Sequence, residues 1–326
     1  MIASNAVIFF VVALLATILG APHAFAQPYP KKPIRVVLPF PPGGGTDALA
    51  RILAPKLNES LGQPLVIDNR PGATGNIAAE IVAKAPPDGY TLALTFANIL
   101  TVNHNLYRKV PFDSLRDFAP IAQLGTAQFV LVVHPSVAAK SVSELVALAK
   151  AKLRGLNYAS SGPGGPLHLA AELFKLRAGV DILHIAYKGG GPAATAVLAG
   201  ESQILFGSVA STMPHVKSGR LRALATTGLK RSMLVPELPT LDESGFPGFN
   251  VSGWDAILAP AGTPRAIVSR VHGETVKALQ LPDVRAAFNN VGYEVTGTTP
   301  EQLAEIIRSE SAMWAKLIRE ANIRAD

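Results

Sequence analysis

Beyond residue 30 the chain alternates between two hydrophobic patterns. Short apolar runs mark strands, and apolar residues recurring every three or four positions mark helices. Ile34, Val36, Val37 and Leu38 form the first strand-like run, and Leu49, Ile52, Leu53 and Leu57 form the first helical stripe. Between them lies Pro39-Phe40-Pro41-Pro42-Gly43-Gly44-Gly45-Thr46-Asp47. A strand, a glycine-rich turn and a helix place free main-chain N–H groups at a helix N-terminus, where roughly half a positive charge favours carboxylates or phosphates. The prolines stiffen the approach, and the glycines let a ligand reach the main chain with no β-carbon in the way. The same turn also serves simply as a chain reversal.

The alternation continues. Pro64–Ile67 reads as a strand and Asn76–Ala85 as a helix with Asn76 as its cap. Tyr90–Leu94 is a strand opened by the turn Pro86-Pro87-Asp88-Gly89, and Phe129–Val133 is another. Ser141-Val142-Ser143-Glu144 has the form of a capping box ahead of Leu145, Leu148 and Ala149. Asn157-Tyr158-Ala159 leads into Ser160-Ser161-Gly162-Pro163-Gly164-Gly165-Pro166 and a helix over Leu167–Arg177, a second strand–glycine turn–helix unit. Thr263-Pro264 and Thr299-Pro300 each place a threonine cap before a proline at the first helical position. This order predicts an α/β protein with mainly parallel sheets.

Two glycine turns in two successive α/β sections predict two lobes with a ligand cleft at the carboxyl ends of their strands. The chain lacks a low-complexity linker, so strands should cross between the lobes near Ala127–Val130 and Phe249–Leu258. The expected division is residues 27–128 in lobe 1, 129–250 in lobe 2, and 251–326 returning to lobe 1.

Composition narrows the function. Residues 1–30 contain no Lys, Arg, Asp or Glu, and Ala6–Leu19 is a 14-residue apolar run, shorter than the ~20 residues of a membrane span. Ala24-Phe25-Ala26 then matches a signal-peptidase site, so residues 1–26 are read as a signal peptide cleaved after Ala26 and the protein as exported. The alternative is an uncleaved anchor, because Met1–Asn5 carries no Lys or Arg. The absence of cysteine excludes disulfides, thiolate metal sites and a cysteine nucleophile. The net charge of +7 is spread without basic runs longer than a pair, which argues against nucleic acid as a partner.

A family resemblance enters on specific motifs. They are Lys32-Pro33-Ile34, Pro39-Phe40-Pro41-Pro42-Gly43-Gly44, Asp47 with Ala50-Arg51, Asn69-Arg70-Pro71-Gly72-Ala73, and Pro86-Pro87-Asp88-Gly89-Tyr90-Thr91-Leu92. Asp117-Phe118-Ala119-Pro120, His168-Leu169, Tyr187-Lys188-Gly189 and Leu258-Ala259-Pro260-Ala261-Gly262-Thr263-Pro264 continue the series in order. From Tyr29 to Ala325 the chain resembles the substrate-binding proteins of tripartite tricarboxylate transporters, the Bug-type receptors. The resemblance implies a type II periplasmic-binding-protein fold, with two doubly wound α/β lobes closing on a small carboxylate. It also implies no catalysis, no cofactor, no metal, a monomer, and integral membrane transporter subunits as partners.

In that family main-chain N–H groups, hydroxyls and bridging water hold the carboxylate. By position, lobe 1 would contribute Phe40, Gly43, Gly44, Thr46, Asp47, Thr95, Ala97 and Asn98. Lobe 2 would contribute Ser160, Ser161, Gly164, Gly165, His168, Tyr187, Lys188, Gly189, Phe206, Gly207 and Ser208. Two departures matter. Many relatives carry an acidic residue where this chain has Gly207-Ser208, which makes amino acids poorer ligands here. Gly162–Pro166 also offers fewer side-chain donors than the relatives' run, which leans toward a monocarboxylate or an aromatic or otherwise less polar acid.

Several of these residues have local explanations as well. Asp47 either caps its helix or holds a ligand-linked water, and Lys188 is either a surface lysine or an anion contact. His168 and His184 read as structural histidines, and Trp254 as core or hinge packing. An exported hydrolase is disfavoured, because the chain lacks Gly-x-Ser-x-Gly, His-Glu-x-x-His and a Walker loop. A ligand sensor for a membrane signalling kinase would use the same cleft with a different partner.

Overall fold

The computed structural model describes residues 29–151 and 155–323. The expected signal peptide lies outside the described residues. Among those residues, no helix is long and apolar enough to cross a membrane.

The first half begins with β1 (Ile34–Leu38), α1 (Gly45–Leu61), β2 (Leu65–Asn69), α2 (Asn76–Ala83) and β3 (Thr91–Phe96). Two short helices follow, α3 (Ala97–Thr101) and α4 (Asn103–Leu106), and then the long strand β4 (Phe118–Val133). The second half holds α5 (Val142–Ala151), β5 (Asn157–Ser160), α6 (Pro166–Ala178), β6 (Leu183–Ala186), α7 (Gly190–Leu198), β7 (Ile204–Ser208), α8 (Val209–Lys217) and β8 (Arg222–Thr226). The chain then runs through β9 (Ser252–Pro260), α9 (Arg265–Gln280), α10 (Pro282–Asn290), β10 (Glu294–Val295) and α11 (Pro300–Glu320).

The strands form one path, β2-β1-β3-β9-β4-β7-β5-β6, with β8 and β10 also paired to β4. β4 joins the halves. Up to Gln128 it pairs with β9, and from Phe129 it pairs with β7. This is the α/β fold class expected. The sheet is mixed rather than mainly parallel, because β9 runs antiparallel to both β3 and β4. β4 likewise runs antiparallel to β7, β8 and β10, so the parallel pairs are confined to β1 with β2 and β3 and to β5 with β6 and β7.

Helix α1 shows how the sequence builds a layer. Leu49, Leu53, Leu57 and Leu61 recur every four residues and are all buried. Each buried leucine contributes roughly 1.5–3 kcal/mol. The helix stops at Gly62, whose left-handed φ of 73° lets its N–H return to the Asn58 carbonyl. Thr299 caps α11 as expected, with Pro300 at the first position, and the cap closes into a capping box with Gln302. Two other caps differ from expectation. Asn76 is already helical, and its side chain accepts from Asn103 Nδ2 at 2.6 Å, so Gly75 precedes the helix instead. Thr263 donates to the Pro260 carbonyl rather than capping α9.

One apolar core lies around β3, β9, α2 and α11, and another around β4, β5, β7 and α6. Trp254 on β9 is buried, as read from the sequence, and its indole N–H donates at 3.0 Å to both carboxylate oxygens of Glu310 on α11.

Candidate functional site

A cleft of about 700 Å³ opens between residues of the two halves. Three helices present glycine-capped N-termini to it among the described residues. They are α1 behind Gly44, α6 behind Gly165 and α7 behind Gly189, and none of the three is capped by a side chain. The first N–H groups of a helix have no partner within it, so at each of these ends they face outward. Among the described residues, none of those lining the cleft is Lys, Arg, Asp, Glu or His. Its polar side chains are Thr46, Thr74, Asn98, Asn103, Tyr107, Ser161 and Tyr293, beside an apolar wall that includes Phe40, Phe96, Ile99 and Leu106. Phe40 and Phe96 meet edge to face with centroids 6.4 Å apart.

The first glycine turn is held from behind by Asp47. Its carboxylate accepts the Gly43 N–H at 3.0 Å, Asn69 Nδ2 at 3.1 Å and Arg51 Nε at 2.8 Å. The Arg51 bond is the largest influence and holds the carboxyl at about 2. The same Asn69 amide donates to the Phe40 carbonyl at 2.9 Å, so one small network fixes the whole turn.

The second glycine turn rests on two histidines. The Gly164 N–H donates to His168 Nδ1 at 2.9 Å, and Ser160 Oγ pairs with His184 Nε2 at 2.6 Å while accepting the Gly162 N–H at 3.2 Å. Burial, and then the neighbouring His184, push His168 down to about 4. A neutral ring keeps the lone pair that Gly164 needs. Gly164 has φ +71°, and a β-carbon there would overlap Leu106. Across the cleft, Asn98 Nδ2 donates to the Gly164 carbonyl at 3.3 Å.

Of the residues named from the sequence, Phe40, Gly44, Thr46, Asn98, Ser161, Gly164 and Gly165 line the cleft. Gly43, Asp47, Ser160 and His168 stand behind it in the two networks just described. Thr95 and Ala97 are buried, and Thr95 lines a separate small space beside Val37 and Phe118. Lys188 is exposed, Tyr187 packs against the second half's core, and Gly189 precedes α7. Phe206 is buried in the core, Gly207 packs on Thr212, and Ser208 caps α8 by accepting the Ser211 N–H. None of these last six lines the cleft.

Sequence reading missed Thr74, Phe96, Asn103, Leu106, Tyr107 and Tyr293 in the lining. Thr74 had a local signal, because it follows Gly72-Ala73 in a turn where its own φ is +53°. Tyr293 had none, since it reaches the cleft from 248 residues beyond Gly45 only through the folding of α10 and β10.

Comparison with known proteins follows the same line. The sequence model described as "Tripartite tricarboxylate transporter family receptor" matches residues 49–323. Protein BugT of Bordetella pertussis is 39% identical over 300 residues, covering 92% of this chain and 92% of its own. An R. palustris protein solved with adipate is 35% identical, with a TM-score of 0.78 over 91% of this chain and 99% of its own. MatC from Rhodopseudomonas palustris, solved with bound malate, is 30% identical, with a TM-score of 0.74 over 89% of this chain and 100% of its own.

Proposed function

Since this chain belongs to the tripartite tricarboxylate transporter family of receptors, we propose that it captures a small carboxylate between its two halves and delivers it to tripartite tricarboxylate-type membrane transporter subunits. The family is one of periplasmic binding proteins, not enzymes. The observation that carries the proposal is a cleft with three glycine-capped helix N-termini and no charged side chain in its lining. Such a site neutralises an anion with fixed dipoles and main-chain N–H groups. The solved relatives with adipate and malate support a carboxylate. The apolar wall of Phe40, Phe96, Ile99 and Leu106 supports an acid with an apolar or aromatic body.

In this proposal residues 27–128 and 251–326 form lobe 1 and residues 129–250 form lobe 2. The protein works as a monomer, exported and cleaved after Ala26. The contacts would come from Gly44, Thr46 and Asn98 on one side and Ser161, Gly164 and Gly165 on the other, and binding would close the hinge at Gln128–Phe129.

The test is thermal melting of refolded, ligand-stripped protein against mono-, di- and tricarboxylates, aromatic acids and amino acids. Ligand at 100 times its dissociation constant stabilises by about 2.7 kcal/mol. A shift confined to acids supports the proposal, and a flat panel on a cooperatively melting protein contradicts it.

A further inference from the structure

The main chain crosses between the halves at Gln128–Phe129 in β4 and at Val251–Ser252, where β9 begins. Thr227, a buried residue just beyond β8, holds both crossings. Its N–H donates to the Phe129 carbonyl at 3.0 Å, and its Oγ1 accepts the Phe129 N–H at 2.9 Å. Its carbonyl accepts the Val251 N–H at 2.9 Å, and its Oγ1 donates to the Val251 carbonyl at 2.6 Å. One residue on, the Gly228 N–H donates to Gln128 Oε1 at 3.2 Å, and Gln128 Nε2 donates to the Lys230 carbonyl at 3.0 Å. A β-carbon on Gly228 would lie 2.4 Å from Gln128 Cδ, so glycine is what leaves room for that amide.

From this bracket residues 228–235 run as a strap that moves with the second half. Arg231 pairs with Glu243 at 2.9 Å, and Val235 is buried with Leu205 of β7 and Met213 of α8. The middle of the strap reaches the first half. Ser232 Oγ and the Met233 N–H both donate to Glu294 Oε1, the second at 3.1 Å. Glu294 is fixed there, because β10 pairs with β4 at Gly125 and Thr126. Its neighbour Tyr293 donates to Asp255 Oδ2 on β9 at 2.7 Å, and Asp255 Oδ1 takes the Thr46 hydroxyl at 2.6 Å. Tyr293 lines the cleft, so one segment supplies a cleft residue and holds the strap.

In this arrangement Asn98 also reaches Gly164 across the cleft. The two contacts between the halves coexist, so each favours this arrangement over any in which it is broken. Two donors on a carboxylate oxygen make a stronger tie than one neutral amide bond. Resting on the hinge reading above, we infer that Glu294 is a catch: by holding the strap it keeps the two halves in their narrow arrangement and so sets how readily the empty cleft opens.

The experiment uses the absence of native cysteine, which lets spin labels be placed on Lys109→Cys and Lys188→Cys alone. Both lysines are exposed, one on each half, and each lies two residues from a cleft-lining residue, Tyr107 and Gly190. Pulsed electron–electron resonance on the refolded, ligand-free protein then reads the width of the cleft. Glu294→Ala should raise the ratio of wide to narrow separations about ten-fold, the loss expected for hydrogen bonds to a carboxylate. Ser232→Ala removes one of the two donors and should move the ratio the same way by less, which keeps the test open if Glu294→Ala folds poorly. Glu294→Gln keeps an acceptor oxygen and should stay near the parent. A residue that only supports the local fold would lower the melting temperature and leave the ratio alone. A ratio unmoved by Glu294→Ala and Ser232→Ala, or moved as far by Glu294→Gln as by Glu294→Ala, would overturn the inference. If Asn98→Ala still widens the cleft in that case, the hinge reading stands without the catch; if no variant does, both fall.

Discussion

The imidazoles of His168 and His184 stack with centroids 4.1 Å apart, and each supports one end of the second glycine turn. Tyr158 lies nearly parallel to both rings, 4.8 Å from His184 and 6.3 Å from His168, and donates to Glu172, which also pairs with Lys175. The cleft wall on this side is therefore carried by neutral rings packed in the second half's core. His168 has a folded value of about 4 against an ordinary 6.5. A depressed imidazole value means that its stabilising contribution is complete above about 6.5 and is lost as pH falls through about 4. Denaturant titrations should show stability falling between pH 6.5 and 4. His168→Ala should cost about 1–3 kcal/mol at pH 7 by stranding the Gly164 N–H, and its acid slope should be shallower. An unchanged slope in the variant would assign the acid sensitivity elsewhere.

Two glycines of the cleft should respond in opposite ways to an added side chain. A β-carbon on Gly44 meets nothing closer than the Pro41 carbonyl at 4.0 Å, and its backbone φ of −81° suits any residue. Gly44→Val should keep the melting temperature of the free protein and lower ligand affinity at least ten-fold by occupying the space over the α1 N-terminus. Gly164→Ala has a left-handed φ and overlaps Leu106. It should destabilise the free protein by about 1–3 kcal/mol. Melting and titration of both variants separate the two effects.

Asn98 donates to the Gly164 carbonyl from the opposite side of the cleft. Asn98→Ala removes a neutral hydrogen bond made between the halves. Its loss should weaken ligand binding roughly three- to ten-fold, seen as faster dissociation in stopped-flow measurements. Equal dissociation rates would mean that the bond does not help hold the closed form.

Glu310 sits half-buried beneath Trp254, and burial pushes its carboxyl up to about 7 from an ordinary 4.5. A raised carboxyl value contributes stability that is fully present below about 4.5 and is lost as pH rises through about 7. Glu310→Gln keeps an acceptor for the indole without the charge. It should match the parent near pH 4.5 and exceed it by about 1–2 kcal/mol at pH 8. A variant less stable at both pH values would contradict this account of the pair.

Local chemistry was legible in the sequence wherever a pattern closed on itself. Both glycine turns, the α1 apolar stripe and the Thr299 cap were read from neighbours within a few residues. The long β4 was recognised only over Phe129–Val133, because Pro120, Gln123, Gly125 and Gln128 break its apolar run before the strand enters the second half. Asp47 was read as either a cap or a water holder, and the structure shows it holding its turn, with Arg51 one helical turn away. The Thr46–Asp255–Tyr293 group was invisible. Its members lie on α1, on β9 and just before β10, and only the antiparallel return of β9 beside β3 unites them.

Uncharged donors at helix N-termini recognise the carboxylate in the proposed function. The most direct measurement is calorimetric titration of the ligand-stripped protein with its best-binding acid and with the primary amide of that acid at neutral pH. The acid should bind measurably and the amide at least a hundred-fold more weakly, because the amide removes the negative charge that the three N-termini favour. Equal affinity for acid and amide would contradict it.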